Sequence, residues 1–580
     1  MTVSTPSSRA FPWRRTLVRG AFLLLGAGTS AFGAGRPGLD FHLQRLDLPG
    51  APAAIVATDL DGDGRRDLAV AVIYTVWDQI ELEERTEMDD IEGLVEVLTI
   101  VPALLDHREL FLFRTDEDGT FAPFGGPTEL STSVLSIEAG PRDRGLVALT
   151  DDGLARLVLP TAGGGAPTWE LLIEETPVLA GTGAFFPPLG LIRELDGLPG
   201  EDLLLPAARG YSVYLNREGA LGEAAAQTGL LPVFDDDPGR DSDAPLRFYP
   251  LAEVRDTDGD GRPDLLFPHP HDHWKDFRRA ANLGRRFAAF SSPLDGFPPL
   301  APKPESVSGG GASPPAGEDL DSGDRGSDED AVLFEDLDGD GRSELVTQEH
   351  LERDAEGLRE GLDEARRPEF RYRIYPQGAD GRLVEAPSLD FQATGYALAG
   401  DPDFPFPGGF QDLDGDGRKD LVTLTLDFSV MQAVKVLATK RISIGLDFHV
   451  WCQEGDRLGF RRIRGLDLSG KFKLNLNNLR LNQLSQFAGD FDGDGRADFL
   501  QIGRGKRVSI HLGQEGCGYP AAADLAVELA EAPEDLSLVQ VRDLDGDQRS
   551  DLIFIQPRPG SERESSAPVR LDLYLSGGGR

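Results

Sequence analysis

Asp59-Leu60-Asp61-Gly62-Asp63-Gly64-Arg65-Arg66-Asp67 decides the fold, because the pattern returns five more times along the 580-residue chain. The carboxylates stand at positions 1, 3, 5 and 9 of each copy. They are Asp59, Asp61, Asp63 and Asp67; Asp256, Asp258, Asp260 and Asp264; and Asp336, Asp338, Asp340 and Glu344. The later copies carry Asp412, Asp414, Asp416 and Asp420; Asp490, Asp492, Asp494 and Asp498; and Asp543, Asp545, Asp547 and Asp551. Four carboxylates within nine residues repel one another unless a cation lies among them. The alternation lets one tight turn aim three side chains at a point. The carbonyl of position 7 and the carboxylate of position 9 complete an oxygen cage. An all-oxygen, carboxylate-rich set suits calcium, whereas magnesium keeps more of its water and zinc takes His or Cys. Structural calcium is therefore expected in each of the six full copies.

Position 4 is Gly in every copy, and position 6 is Gly in all but the last, where Gln548 stands. Glycine there fits a backbone that bends sharply or takes positive φ, so the last turn is expected to be strained or to bind more weakly. Position 7 is always Arg (Arg65, Arg262, Arg342, Arg418, Arg496, Arg549), which reads as a backbone ligand whose side chain points to water. An EF-hand begins the same way but needs Glu at position 12 and a helix on each side. Position 12 of the first copy is Val70, and short apolar runs such as Leu68–Val72 and Leu552–Ile555 follow the loops. Such runs on both sides of a turn predict a β-hairpin.

Two worn copies lie between the full ones. Glu194, Asp196 and Asp202 keep the frame, with Leu198 in place of the third Asp. Ile137–Gly145 keeps only the outline. Little ion is expected in the first and none in the second. Counting both gives eight units, starting at 59, 137, 194, 256, 336, 412, 490 and 543, a period typical of propellers or solenoids. Third strands follow the hairpins at Glu109–Arg114, Tyr211–Leu215, Tyr372–Tyr375 and Val508–Leu512, and a weaker fourth comes after. Four antiparallel strands per unit make a propeller blade. The last unit stops after its third strand, Val569–Leu575, and the orphan strand Phe41–Leu48 precedes the first loop. That strand is expected to complete the last blade and close the ring, removing two exposed edges. The predicted fold is an all-β, eight-bladed propeller of four-stranded antiparallel blades, falling to seven if the outline at 137–145 is not a blade.

The loops in this setting resemble the FG-GAP/VCBS-repeat family, the integrin α-subunit type of β-propeller. The resemblance covers nearly all of residues 34–580. It implies calcium in the first hairpin of several blades and extracellular work in adhesion or carbohydrate contact. Integrin-type rings have seven blades, and some polysaccharide lyases with similar loops have eight.

Residues 1–33 read as an export signal: Arg9, Arg14, Arg15 and Arg19, then the apolar Ala21–Leu25, then Ala31-Phe32-Gly33 as a small-x-small cleavage site. The Arg14-Arg15 pair leaves general and twin-arginine export open. The apolar stretch is too short to span a membrane comfortably, and no other spanning segment is expected after signal removal. The expected place is the periplasm, the cell surface or the medium. A net charge of −41 argues against a nucleic-acid partner.

Long insertions between second and third strands fall on the face opposite the acidic turns. Helical spacing is seen within 77–107 (Ile91, Leu94, Val95, Leu98), 348–367 (Leu351, Ala355, Leu358, Leu362) and 428–445 (Val430, Val434, Leu437). Residues 301–330 are rich in Pro, Gly, Ser and Asp and are expected to be disordered. The inserted helices are expected either to plug this face or to carry a protein or carbohydrate ligand there, because loops on a rigid ring tend to carry function. His269, His271, His273 and Trp274 cluster there and read as a solvent-facing polar loop. Trp274 and Trp77 are expected to pack down rather than stack on a sugar. Cys452 and Cys517 fall in or near third strands of neighbouring units; export would permit a disulfide, but their positions look offset. No Gly-x-Ser-x-Gly elbow, His-Glu-x-x-His or phosphate-binding loop is found, so the chain is expected to be a non-catalytic, calcium-stabilised binding scaffold. The alternative is a polysaccharide lyase or hydrolase on the same propeller. Loops on separate blades are expected to bind their ions nearly independently.

Overall fold

The computed structural model describes residues 40–75, 105–160, 166–178, 186–217, 220–232, 252–268, 277–295, 329–351, 365–378, 380–397, 408–427, 441–455, 458–466, 468–475, 480–481, 484–502, 505–532, 539–557 and 568–577. They form an eight-bladed β-propeller of antiparallel sheets. Blade 1 is built from Ala51–Thr58, Asp67–Thr75, Leu105–Thr115 and Phe121–Pro123. Blades 2 to 7 follow in chain order over 134–174, 192–230, 253–280, 329–394, 396–481 and 484–528. The outline at 137–145 is a true blade: Val134–Ala139 pairs with Leu146–Thr150, which settles the count at eight rather than seven.

Blade 8 contains Val539–Arg542, Asp551–Pro557, Val569–Ser576 and, from the other end of the chain, Phe41–Leu48. The closing pair runs in unbroken register from Phe41 opposite Ser576 to Leu48 opposite Val569. Three blades depart from four strands, blade 1 by a short fifth, Thr128–Glu129, paired with Leu105–Thr115. Blade 4 has three regular strands, and Arg279 exchanges backbone hydrogen bonds with Ser291 where the fourth would lie. Blade 6 is widened because its long third strand, Arg441–Gln453, pairs with Phe460–Arg462 near one end and Ser469–Asn475 near the other.

Packing is between blades rather than around one centre. Eight buried apolar clusters each join two neighbouring blades. The second strand of blade 1 shows why its sequence is apolar without alternation. Leu68, Val70 and Val72 face blade 8, while Ala69 and Ala71 face blade 2. A strand buried on both faces reads as a continuous apolar run. Burying such surface stabilises by about 25 cal/mol per Å2 of apolar area.

The helical insertions expected at 77–107, 348–367 and 428–445 need correction at their edges. Leu105–Thr115, Glu344–His350 and Arg441–Gln453 are strands, so 105–107, 348–350 and 441–445 are not helical. Leu351 is not helical, and 365–366 form a short helical turn; the remaining positions at helical spacing lie outside the described residues. The expected disordered segment 301–330 also overlaps a strand, Glu329–Glu335, and 301–328 lies outside the described residues. His269, His271, His273, Trp274 and Trp77 lie outside them too. Among the described residues, no helix is long and apolar enough to cross a membrane.

Candidate metal centres

Each acidic turn joins the first two strands of its blade, and the same hydrogen bonds hold it every time. The position 1 carboxylate accepts the N–H of position 4 on Oδ1 and that of position 6 on Oδ2. In the first loop these are Gly62 at 2.7 Å and Gly64 at 3.0 Å on Asp59. Asp256, Asp336, Asp412, Asp490 and Asp543 repeat the arrangement. The position 5 carboxylate (Asp63, Asp260, Asp340, Asp416, Asp494, Asp547) accepts the N–H of position 7 at 2.8–3.1 Å. Glycines at position 4 take φ of 75–83° and those at position 6 take 81–88°. Gln548 stands at position 6 with φ 70°, the strain expected of the last turn.

Position 9 does more than complete a cage. Its carboxylate is buried in every full copy. One oxygen accepts the N–H of position 2, as in Leu60 to Asp67 at 3.0 Å and Leu544 to Asp551 at 2.8 Å. The other accepts an N–H at the end of the third strand: Thr115 on Asp67, Asn282 on Asp264, Gln453 on Asp420, Gly513 on Asp498 and Ser576 on Asp551. The residue therefore ties the turn to the third strand across its own blade. Burial pushes Glu344 up to about 8 and Asp420, Asp498 and Asp551 up to about 7, against the pull of the backbone donors and with help from the neighbouring carboxylates. Asp67 and Asp264 are raised by burial as well.

In three of the full loops the convergence is explicit. Asp59, Asp61 and Asp67, then Asp256, Asp258 and Asp260, then Asp336, Asp338 and Glu344, each bring one oxygen to within 4.8 Å of the others. At position 3, Oδ1 of Asp258 and of Asp414 is buried and receives no hydrogen bond. A buried acceptor without a donor is costly, and a hard cation would satisfy it. The donor set therefore fits calcium.

In four of the six loops Arg at position 7, though partly exposed, does not simply point to water as expected. Arg65, Arg262, Arg418 and Arg496 turn their guanidinium groups back onto the position 5 carboxylates Asp63, Asp260, Asp416 and Asp494. The local field of the turn draws them in. In the worn copy of blade 3, Glu194, Asp196 and Asp202 also converge within 4.8 Å. There the guanidinium of Arg217 lies 2.7 Å from Asp196, so the positive charge is supplied by the chain itself. Among the described residues of blade 2, Asp143 meets Arg66 of the first loop at 2.8 Å.

The turns are not separate. Position 8 of one loop donates its N–H to the loop before it: Ser343 to the carbonyl of Thr257 at 3.0 Å, Lys419 to Leu337 at 2.9 Å, Ala497 to Leu413 at 3.1 Å and Ser550 to Asp490 at 2.7 Å. In blade 4 position 8 is Pro263, which has no N–H. Asn282 Nδ2 reaches the carbonyl of Leu195 in its place. Gln377 Nε2 to Thr257 and Gln453 Nε2 to Leu337 add amide bonds of the same kind. The ring closes through Arg66, which donates to the carbonyl of Asp543 at 3.3 Å, and through Asp59 and Gly145, which link blades 1 and 2. A side chain at Gly259, Gly339 or Gly415 would meet the position 6 carbonyl of the next loop at about 3 Å, namely Gly341, Gly417 or Gly495. Position 4 is glycine for its neighbour as well as for its φ.

Cys452 and Cys517, whose pairing the sequence leaves open, are joined by a disulfide. Cys517 lies in the turn beyond the third strand of blade 7, and φ of 57° swings it toward Cys452 in blade 6. The adjacent Gly516 donates its N–H to Asp414 at 2.9 Å.

No family model and no curated protein matches the chain. Among solved structures, a chain in the Tc holotoxin pore of Photorhabdus luminescens is similar at 15% identity with a TM-score of 0.30. The match covers 82% of the present chain but only 18% of the toxin chain. Likeness at that level carries no functional inference.

Proposed function

We propose that the chain is an exported, calcium-stabilised propeller of the FG-GAP/VCBS type that binds a protein or a glycan without catalysis. The observation that carries the calcium reading is the set of converging carboxylates with the donorless Oδ1 atoms of Asp258 and Asp414. Asp, Glu and backbone carbonyls at positions 1, 3, 5, 7 and 9 would hold the ion, and its charge would offset the mutual repulsion of the carboxylates. The signal-like residues 1–33 and the Cys452–Cys517 disulfide support export, since disulfides persist in oxidising compartments. In blades 1, 5 and 6 the second strand ends and the third begins at the end of the blade opposite the acidic turn. That face is the proposed ligand surface.

Two measurements test the proposal. Each occupied loop adds about 2.7 kcal/mol when free calcium is a hundredfold above its dissociation constant. Chelation is therefore expected to lower the melting temperature markedly, and a melting curve indifferent to chelator refutes structural calcium. A glycan and protein-binding screen of the purified chain, run beside a turnover assay on the same polysaccharides, is expected to give binding without cleavage. Turnover would favour the lyase or hydrolase alternative.

A further inference from the structure

We infer that the acidic loops of blades 4 to 8 bind calcium with positive cooperativity, each occupied loop raising the affinity of its neighbours, while the loop of blade 1 binds largely alone. The inference rests on the calcium reading and goes beyond it, since loops that bind calcium need not be coupled.

The coupling has a traceable path. In loop 5, Glu344 accepts the N–H of Leu337, and the carbonyl of that same residue accepts the N–H of Lys419 in loop 6. Lys419 precedes Asp420, the position 9 carboxylate of loop 6, which in turn accepts the N–H of Leu413. The carbonyl of Leu413 then accepts the N–H of Ala497, next to Asp498 in loop 7. In loops 4, 5 and 6 position 2 thus spans from its own position 9 carboxylate to the strand that carries the next, and from loop 7 to loop 8 the acceptor is the position 1 carbonyl, Asp490. Drawing one loop around an ion orders the peptide that the neighbour needs ordered, so the second ion meets less disorder to remove. The nesting of Gly259, Gly339 and Gly415 against the following loops allows no slack between them.

The run has ends. Blade 3 carries Arg217 on Asp196, so no ion is needed to order that turn. Blade 2 has a turn of Gly140–Gly145 without the carboxylate set. Loop 1 meets loop 8 through the side chain of Arg66 rather than through a backbone hydrogen bond. Loop 1 is therefore flanked by an ion-free turn and a side-chain link, whereas loop 6 is flanked on both sides by backbone-bonded acidic loops.

The test compares Asp63→Asn with Asp416→Asn in the full chain with its disulfide intact. Each variant removes one position 5 carboxylate, in loop 1 or in loop 6. Calcium-free protein is titrated with calcium against a chromophoric chelator, and amide hydrogen exchange is read loop by loop at saturating calcium. The wild type is expected to titrate with a Hill coefficient above one. Asp63→Asn is expected to leave the remaining sites within about twofold, whereas Asp416→Asn weakens them about fivefold or more, the usual scale of site-to-site coupling. Exchange is expected to rise at 336–344 and 490–498 in Asp416→Asn but not at 59–67. Should Asp416→Asn fail to fold, Gln453→Met replaces it; this variant removes the amide bonds to Leu337 and Lys419 without touching a carboxylate, and a lowered Hill coefficient is expected. A Hill coefficient of one, or equal effects of the two Asn variants, overturns cooperativity while leaving calcium binding intact. Absence of calcium binding overturns both readings.

Discussion

At the scale of single residues, the buried position 9 carboxylate holds two parts of its blade together. Four carboxylates in nine residues raise the expectation of a cation. Nothing in the spacing announces that Asp551 is buried and holds the N–H groups of both Leu544 and Ser576. The donor from the third strand is 25 residues away, beyond the reach of a local pattern. Asp551→Ala orphans both N–H groups and is expected to destabilise by roughly 2–4 kcal/mol, read by denaturant unfolding at fixed calcium. Gln548→Gly relieves a left-handed residue and is expected to stabilise by about 1 kcal/mol, so a fall in stability counts against strain there. The raised position 9 carboxyls also set a pH dependence. Those of Glu344, Asp420, Asp498 and Asp551, with native pKa values of about 7 to 8, lie above the ordinary carboxylate value near 4, so the native state binds more protons. In calcium-free protein that contribution is present at low pH and lost as pH rises through about 7 to 8. The melting temperature of chelated protein is expected to fall between pH 5 and pH 8, and a rise would contradict it.

At the scale of the element, hairpins and third strands followed from apolar runs bounded by Gly and Asp, and the worn copies were read correctly as frames. The edges of the insertions were misplaced because 105–107, 348–350 and 441–445 carry side chains that suit either a strand or a helix. Pairing partners such as Tyr74 for His107 and Leu474 for Ile442 decide the outcome. The sequence leaves the disulfide open for a related reason. Cys517 lies past the third strand of blade 7, in the turn after Val508–Leu512, and that turn brings it to Cys452. Reducing the bond, or changing both residues to Ser, is expected to cost about 2–4 kcal/mol through freed chain entropy. Unchanged unfolding midpoints with and without reductant would show that blades 6 and 7 hold together without it.

At the scale of the whole molecule, eight blades and closure by the first strand were both legible, because a missing fourth strand at one end matched an orphan at the other. The contact between successive turns was not. It depends on the angle at which blades meet, and on side chains such as Asn282 that replace the N–H missing at Pro263. Deleting residues 40–48 removes a strand whose Leu46 and Leu48 are buried between blades 8 and 1. It is expected to open the ring and cost more than about 3 kcal/mol, the burial of two leucines alone, with aggregation through the exposed edge. A monomeric, equally stable deletion product would refute closure as the keystone.

The pairing of Phe41–Leu48 with Val569–Ser576 also imposes an order on the making of the protein. Phe41–Leu48 has no partner until Val569–Ser576, far later in the chain, is present. Seven sheets can assemble as they appear, yet the circle locks only when residue 576 has arrived. A chain that stops before residue 569 leaves Phe41–Leu48 without its partner strand, an edge open to pairing with another chain.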